Sequence, residues 1–222
     1  MNRTRAYATT SGLALPEQPG ARAREARGAR PAVVVRDLRD RVGRSPHGLR
    51  FGAQDLVVVA GLPGSGKSTL MRRAVRGARV DSQDTRERWD GRMPGLLPYA
   101  VYRPLVRLAH YAGLRRALRE GGGLVVHDCG TQTWVRRWLA REARRRGGAL
   151  HLLLLDVTPG TALDGQRERG RGVSRYAFAR HRGAIARLLR SAETGDLPEG
   201  CGSAVLIDRD AADVLRRIDF GH

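Results

Sequence analysis

The 222-residue chain predicts an α/β fold in which a parallel five-stranded sheet carries helices on both faces as a single domain. Two observations carry that expectation. Short apolar runs alternate with longer segments of helical period, and one run passes directly into Gly61-Leu-Pro-Gly-Ser-Gly-Lys-Ser-Thr69, the G-x-x-x-x-G-K-[ST] pattern between a strand and a helix. Hydrophobic residues make up 41% and charged residues 28%, which suits a folded globular chain and excludes a disordered one.

The elements follow in order. Residues 1–30 are rich in Ala, Arg, Gly and Pro without apolar period, so they are expected to be a disordered tail, with the domain running from 31 to 222. Ala32–Val35 is a candidate edge strand. The five core strands are Leu56–Ala60, Ala78–Asp81, Leu124–Asp128, Leu150–Asp156 and Ala204–Asp208, with Leu56–Ala60 central and Leu124–Asp128 beside it. Helices are expected over Pro104–Glu120, Thr131–Arg146, Ser174–Arg190 and Asp210–Asp219. In the second of these, Trp134, Val135, Trp138, Leu139 and Ala143 share a buried face, with arginines opposite. In the last, Ala211, Val214, Leu215 and Ile218 stand at helical intervals.

The net charge of +19 would ordinarily point to nucleic acid. However, 40 of the 41 basic residues are arginine and only Lys67 is lysine, a bias that reads as coding composition more than as a binding surface. Weak, non-specific attachment to polyanions is therefore the expectation. No window is long and apolar enough to span a membrane, so the chain is expected to be cytoplasmic. Cys129 and Cys201 lack metal or redox spacing and read as buried, reduced thiols.

Lys67 sits where the chemistry is. Glycines 61, 64 and 66 let the backbone of Gly61, Leu62, Pro63, Gly64, Ser65 and Gly66 curl around phosphate oxygens, and the helix that follows presents its positive end. Lys67 is expected to reach the β- and γ-phosphates of ATP, Ser68 to supply a hydroxyl to Mg²⁺, and Thr69 to touch the α-phosphate. Four of the five strand runs end in aspartate (Asp81, Asp128, Asp156 and Asp208), along the edge where open α/β sheets bind ligands. Each could equally be a helix cap. His127 alternates away from Asp128 and reads as a buried, satisfied histidine.

The G-x-P-G-S-G-K-S-T loop resembles the P-loop kinases of small molecules and nucleic-acid ends: AAA-type ATP-binding proteins that include shikimate- and gluconate-type kinases, polynucleotide-kinase-like domains and zeta-toxin relatives. The resemblance implies a three-layer P-loop NTPase fold and transfer of the ATP γ-phosphate to a hydroxyl. It also assigns candidates to roles. Asp81 or Asp84 would take the acceptor proton, with Asp81 a possible Mg²⁺ ligand, and Arg86 would grip an anionic acceptor. Where shikimate-type and polynucleotide kinases place their acidic residue, this chain has Gln83. Asp128 would bind Mg²⁺ or orient the acceptor. Residues 166–174 look like a kinase lid carrying Arg167, Arg169 and Arg171, and Arg209 would stack on the adenine. The segment Pro94–Tyr111 lies where these kinases bind their acceptor, and Arg103 and Arg107, four apart on one helix face, could hold a phosphate or carboxylate. The alternative is an ATPase that works as a switch or a nucleic-acid accessory factor, although neither a guanine motif nor a paired Asp-Glu strand end is present.

Overall fold

A run in which every residue is apolar and buried forms the middle of the sheet. β3 (Leu56–Gly61) lies between β5 (Leu124–Asp128) and β6 (Leu150–Leu155), pairing in parallel with both. The structure is a computed structural model and describes residues 34–41, 43–94, 97–128, 132–168 and 174–221, which belong to one compact unit. The expected tail, residues 1–30, lies outside the described residues, as do Cys129, Arg169 and Arg171.

Among the described residues the main sheet has six parallel strands, not five. Its order is β1-β7-β6-β3-β5-β4, with β4 (Ala78–Val80) at one edge and β7 (Cys201–Ile207) beyond β6. The sixth strand is β1 (Val34–Asp37), which pairs along β7 from Val34 opposite Ser203 to Asp37 opposite Leu206. Covering β7 in this way satisfies backbone groups that an open edge would leave to solvent. The arrangement is that of a P-loop NTPase.

Alternation along β3 divides the core. Val57 and Val59 pack on one face against Met71 and Ala74 of α1 (Lys67–Ala74) and Ala211 of α7 (Arg209–Val214). Leu56, Val58 and Ala60 pack on the other face against Leu114 and Leu118 of α3 (Tyr99–Glu120), Leu139 and Ala143 of α4 (Thr133–Arg145), and Ile185 and Leu188 of α6 (Arg175–Glu193). Two shorter helices, α2 (Ser82–Asp90) and α5 (Pro159–Arg167), follow the strand ends at β4 and β6.

Four further expectations are corrected. The helix expected over Asp210–Asp219 ends at Val214, and Arg217–Phe220 forms β8, paired in parallel with β2 (Gly48–Phe51) in a second, two-stranded sheet. Ala211, Leu215 and Ile218 are all buried in one core, so the apparent helical interval spans a helix and a strand that face the same way. Helix α3 begins five residues before Pro104. Its first turn is held to α2, because Tyr102 donates its hydroxyl to Asp90 at 2.7 Å and packs edge-on against Tyr99. On α4 the arginine face is not all solvated: Arg136 is buried while Trp134 is exposed and packs its ring beside Tyr111. Cys201 is only partly buried, and that burial pushes its thiol up to about 11.

Candidate active site

The Walker loop closes over its own lysine. Gly64 (φ 89°) and Gly66 (φ 98°) hold left-handed backbone that other residues rarely adopt, and Gly66 ends the loop at the first residue of α1. Lys67 Nζ donates to the carbonyls of Gly61 at 2.9 Å and Leu62 at 2.7 Å, so the buried ammonium is held on the loop's own backbone. Ser65 and Ser68 are buried beside it, and Thr69 is exposed.

Helix α5 seats directly on this loop. A Cβ on Gly64 would stand 1.9 Å from the Ala162 carbonyl oxygen, and one on Gly165 would stand 2.5 Å from the Gly64 carbonyl oxygen. Gln166 adds a hydrogen bond from Nε2 to the Pro63 carbonyl at 2.9 Å. The helix that leads to the expected lid is therefore in contact with the phosphate loop through glycine. Arg167 itself is exposed and paired with Asp164 at 2.9 Å.

The four aspartates at the strand ends do lie along one edge, and each has a different partner. Asp81 caps α2 by accepting from Gln83 N at 2.9 Å, and Asp208 caps α7 by accepting from Ala211 N at 2.8 Å. Asp156 pairs with Arg39 at 2.8 Å. Asp128 and Arg136 form a buried ion pair at 2.8 Å, with side-chain exposures of 6% and 5%.

Asp81 is also joined to β5. His127 Nδ1 lies 3.2 Å from Asp81 Oδ1 and 2.6 Å from Ser82 Oγ. Burial alone would raise the Asp81 carboxyl, but His127, the Gln83 N–H and nearby Ser68 outweigh it and hold the group well below the usual carboxylate range. Its Oδ2 is buried and makes no hydrogen bond. A buried ionised carboxylate near Ser68 makes the neighbourhood of that hydroxyl favourable to a divalent cation such as Mg²⁺. Among the described residues no cluster of three or more His, Cys, Asp or Glu could hold a metal without help, so phosphate oxygens and water would complete the shell.

A cavity of about 420 Å³ runs from Gly64, Gly66, Lys67 and Ser68 past His127 and Asp128 to side chains of α2, α3 and α6. It brings together Lys67, Ser68, Arg86, Arg103, Arg107 and Asp128, all expected from sequence. Asp84 is not among them; it faces Arg72 and Arg79, each at 3.7 Å. Asp81 lies behind His127 with its side chain fully buried. Arg86 stacks 3.9 Å over the Tyr99 ring and pairs with Asp90. Arg209 flanks a smaller recess on the opposite side of the loop, near Gly66, Thr69 and Arg73, and pairs with Asp213.

Several cavity residues carried no sequence signal. Gln132 precedes α4 and Arg180 and His181 lie on α6, and only packing unites them with His110, which falls in the acceptor segment Pro94–Tyr111 expected from the resemblance. His127 was legible as a strand residue, but its contact with Asp81 depends on β4 and β5 being neighbours. Burial is the main reason that the His110 imidazole is pushed down to about 4; the nearby His127 adds to this, while Asp81 and Asp128 oppose it. Its Nδ1 is buried without a partner.

This fold and site define a nucleotide-binding P-loop protein of the kinase-like kind. A family model described as an AAA domain matches residues 56–194, more than half of the chain, and the chain belongs to that family. No curated protein matches it. Among solved structures, one from work on the PezAT chromosomal toxin-antitoxin system of Streptococcus pneumoniae is similar at 14% identity and a TM-score of 0.51, covering 73% of this chain and 77% of that one. The Deinococcus radiodurans tunicamycin resistance protein is similar at 17% identity and a TM-score of 0.37, covering 61% of this chain and 80% of that one. No helix among the described residues is long and apolar enough to cross a membrane.

Proposed function

We propose that the protein is an ATP-dependent phosphotransferase that moves the γ-phosphoryl group of ATP to a hydroxyl of a second substrate. The observation that carries this reading is the reach of the cavity. It continues from Lys67 into a chamber walled by α2, α3, α4 and α6, which offers space for an acceptor beside the phosphates. A switch ATPase needs only water there.

Each residue then has a task. Lys67 exchanges the Gly61 and Leu62 carbonyls for phosphate oxygens, and the loop amides hold the phosphate chain. Ser68 would hold Mg²⁺, the ionised Asp81 buried near it would favour the cation, and the ion would supply charge compensation to the phosphates when bound. Asp128 is the only carboxylate on the cavity wall among the described residues, and Arg136 holds it in place. It is assigned here to the acceptor and not to the metal, because a cation already sits beside it. Asp128 accepts the hydroxyl proton as the new O–P bond forms and the bond from the γ-phosphorus to the β–γ bridging oxygen breaks, and ADP leaves.

The test is turnover of MgATP with a panel of sugars, nucleosides and 5′-hydroxyl oligonucleotides, scoring transferred against free phosphate. Lys67→Ala should abolish transfer and leave the circular dichroism unchanged. Asp128→Asn should lower transfer about 100-fold or more, as expected for loss of a proton acceptor, with ATP affinity retained. Only free phosphate with every acceptor would end the kinase reading.

A further inference from the structure

The far wall of the cavity carries an excess of positive charge. Arg103 and Arg107 enter from α3 and Arg180 from α6, and none of the three has an acidic partner among the described residues. Other arginines, such as Arg39, Arg136 and Arg167, pair with carboxylates, and many of the rest are unpaired without lining any cavity, as Arg115 and Arg119 are. Arg86, on the same wall, is already committed to Asp90 and Tyr99. The only carboxylate lining the cavity, Asp128, is paired with Arg136. All three residues are exposed, so water screens their mutual repulsion; what sets them apart is that they converge from two helices on one cavity with room for an anion.

We infer that Arg103, Arg107 and Arg180 form a binding site for an anionic group on the acceptor, so that the second substrate is a small hydroxylated molecule bearing a phosphate or carboxylate. The inference rests on the phosphotransferase reading for the word acceptor, but the anion site stands on its own geometry. Guanidinium groups at positions 103 and 107 lie one helical turn apart, the spacing at which two forks meet one oxyanion. Nearby His110 is neutral at physiological pH, since its burial pushes it down to about 4, so it adds no charge to this wall. The walls between these groups are apolar, with Val106, Leu114 and Val135 facing the cavity. A volume of about 420 Å³ with apolar walls suits a metabolite and not a polynucleotide strand.

The test pairs uncharged probes with anionic relatives, glucose with glucose 6-phosphate and with gluconate and uridine with uridine monophosphate, and adds a 5′-hydroxyl oligonucleotide. The full-length chain is used in physiological salt. Binding is followed by calorimetry without ATP, and transfer is followed separately with labelled ATP. At least one phosphorylated or carboxylated probe should bind where its uncharged parent does not, and comparing the two arms shows which anion is preferred. The double variant Arg103→Ala/Arg107→Ala, and Arg180→Ala alone, should each weaken that binding about tenfold or more while ATP affinity is unchanged. The charge-matched control Arg115→Ala/Arg119→Ala, on the same helix but outside the cavity, should leave it intact and so separates the site from general attraction to a basic protein. Equal binding of charged and uncharged probes, preference for the oligonucleotide, no binding at all, or equal loss in the control would each overturn the inference. Arginine-dependent binding without transfer would keep the anion site and defeat the kinase reading. Transfer to uncharged probes alone would do the opposite.

Discussion

Replacing Arg136 with methionine removes one half of an ion pair from which water is almost wholly excluded. Asp128 and Arg136 meet at 2.8 Å with side-chain exposures of 6% and 5%, and Asp128 ends a strand whose neighbour on the sheet is the central one. A carboxylate stranded there costs about 3–5 kcal/mol, whereas removing both charges together is close to neutral. With a urea dependence of about 3 kcal/mol per molar for a domain of this size, Arg136→Met should lower the unfolding midpoint by about 1–1.7 M. Adding Asp128→Leu to Arg136→Met should restore most of that loss, giving a coupling energy of about 2 kcal/mol or more. Urea unfolding of wild type, both single variants and the double variant measures it directly. A single variant that loses less than about 1 kcal/mol, or a double variant that loses the sum of the two singles, would refute the argument that the pair is dry and mutually dependent.

Gly64→Ala should disable nucleotide binding and destabilise the fold. Its φ of 89° costs roughly 1–2 kcal/mol for a residue with a Cβ, and that Cβ would stand 1.9 Å from the Ala162 carbonyl oxygen, so α5 must move; thermal unfolding with and without ATP reports both effects. His110 makes stability depend on pH. Its folded value of about 4 lies below the ordinary 6.5, so unfolded chains bind the proton first, and stability present above pH 6.5 is lost as the pH falls toward 4. The loss is on the order of 3 kcal/mol, and His110→Phe should flatten that part of the urea-midpoint profile. Polyanions should bind the chain weakly, with affinity falling steeply as salt rises, because a net charge of +19 attracts without reading sequence; titration of heparin and of unrelated DNA duplexes at several salt concentrations checks it.

Legibility in the sequence followed the range of the interaction. The central strand, its neighbour and the phosphate loop are written in contiguous residues: an unbroken apolar run, then glycines at the positions that take positive φ, then lysine at the first residue of a helix. Local chemistry decides these, since backbone freedom and apolar burial do not wait for distant partners. The aspartates at the strand ends were legible for the same reason, because alternating apolar runs mark where strands stop. Their tasks were not legible. Asp81 meets His127, Asp128 meets Arg136 and Asp84 meets Arg72 and Arg79 only because β4 lies beside β5 and because α1, α2 and α4 pack where they do.

Tertiary pairing also overrode local periodicity at the chain's end. Leu215 and Ile218 continue a helical interval from Ala211, but β2 offered a strand edge, and the pairing of Arg217–Phe220 with it buries Ile218 just as well. In the same way, nothing within α4 distinguishes Arg136 from its neighbouring arginines until Asp128 is placed beneath it. The sequence by itself determined the Walker loop and its place between the central strand and α1, because its glycines and lysine are contiguous. Which side chains face that loop was decided by tertiary packing, because the cavity is walled by helices that the chain reaches tens of residues apart.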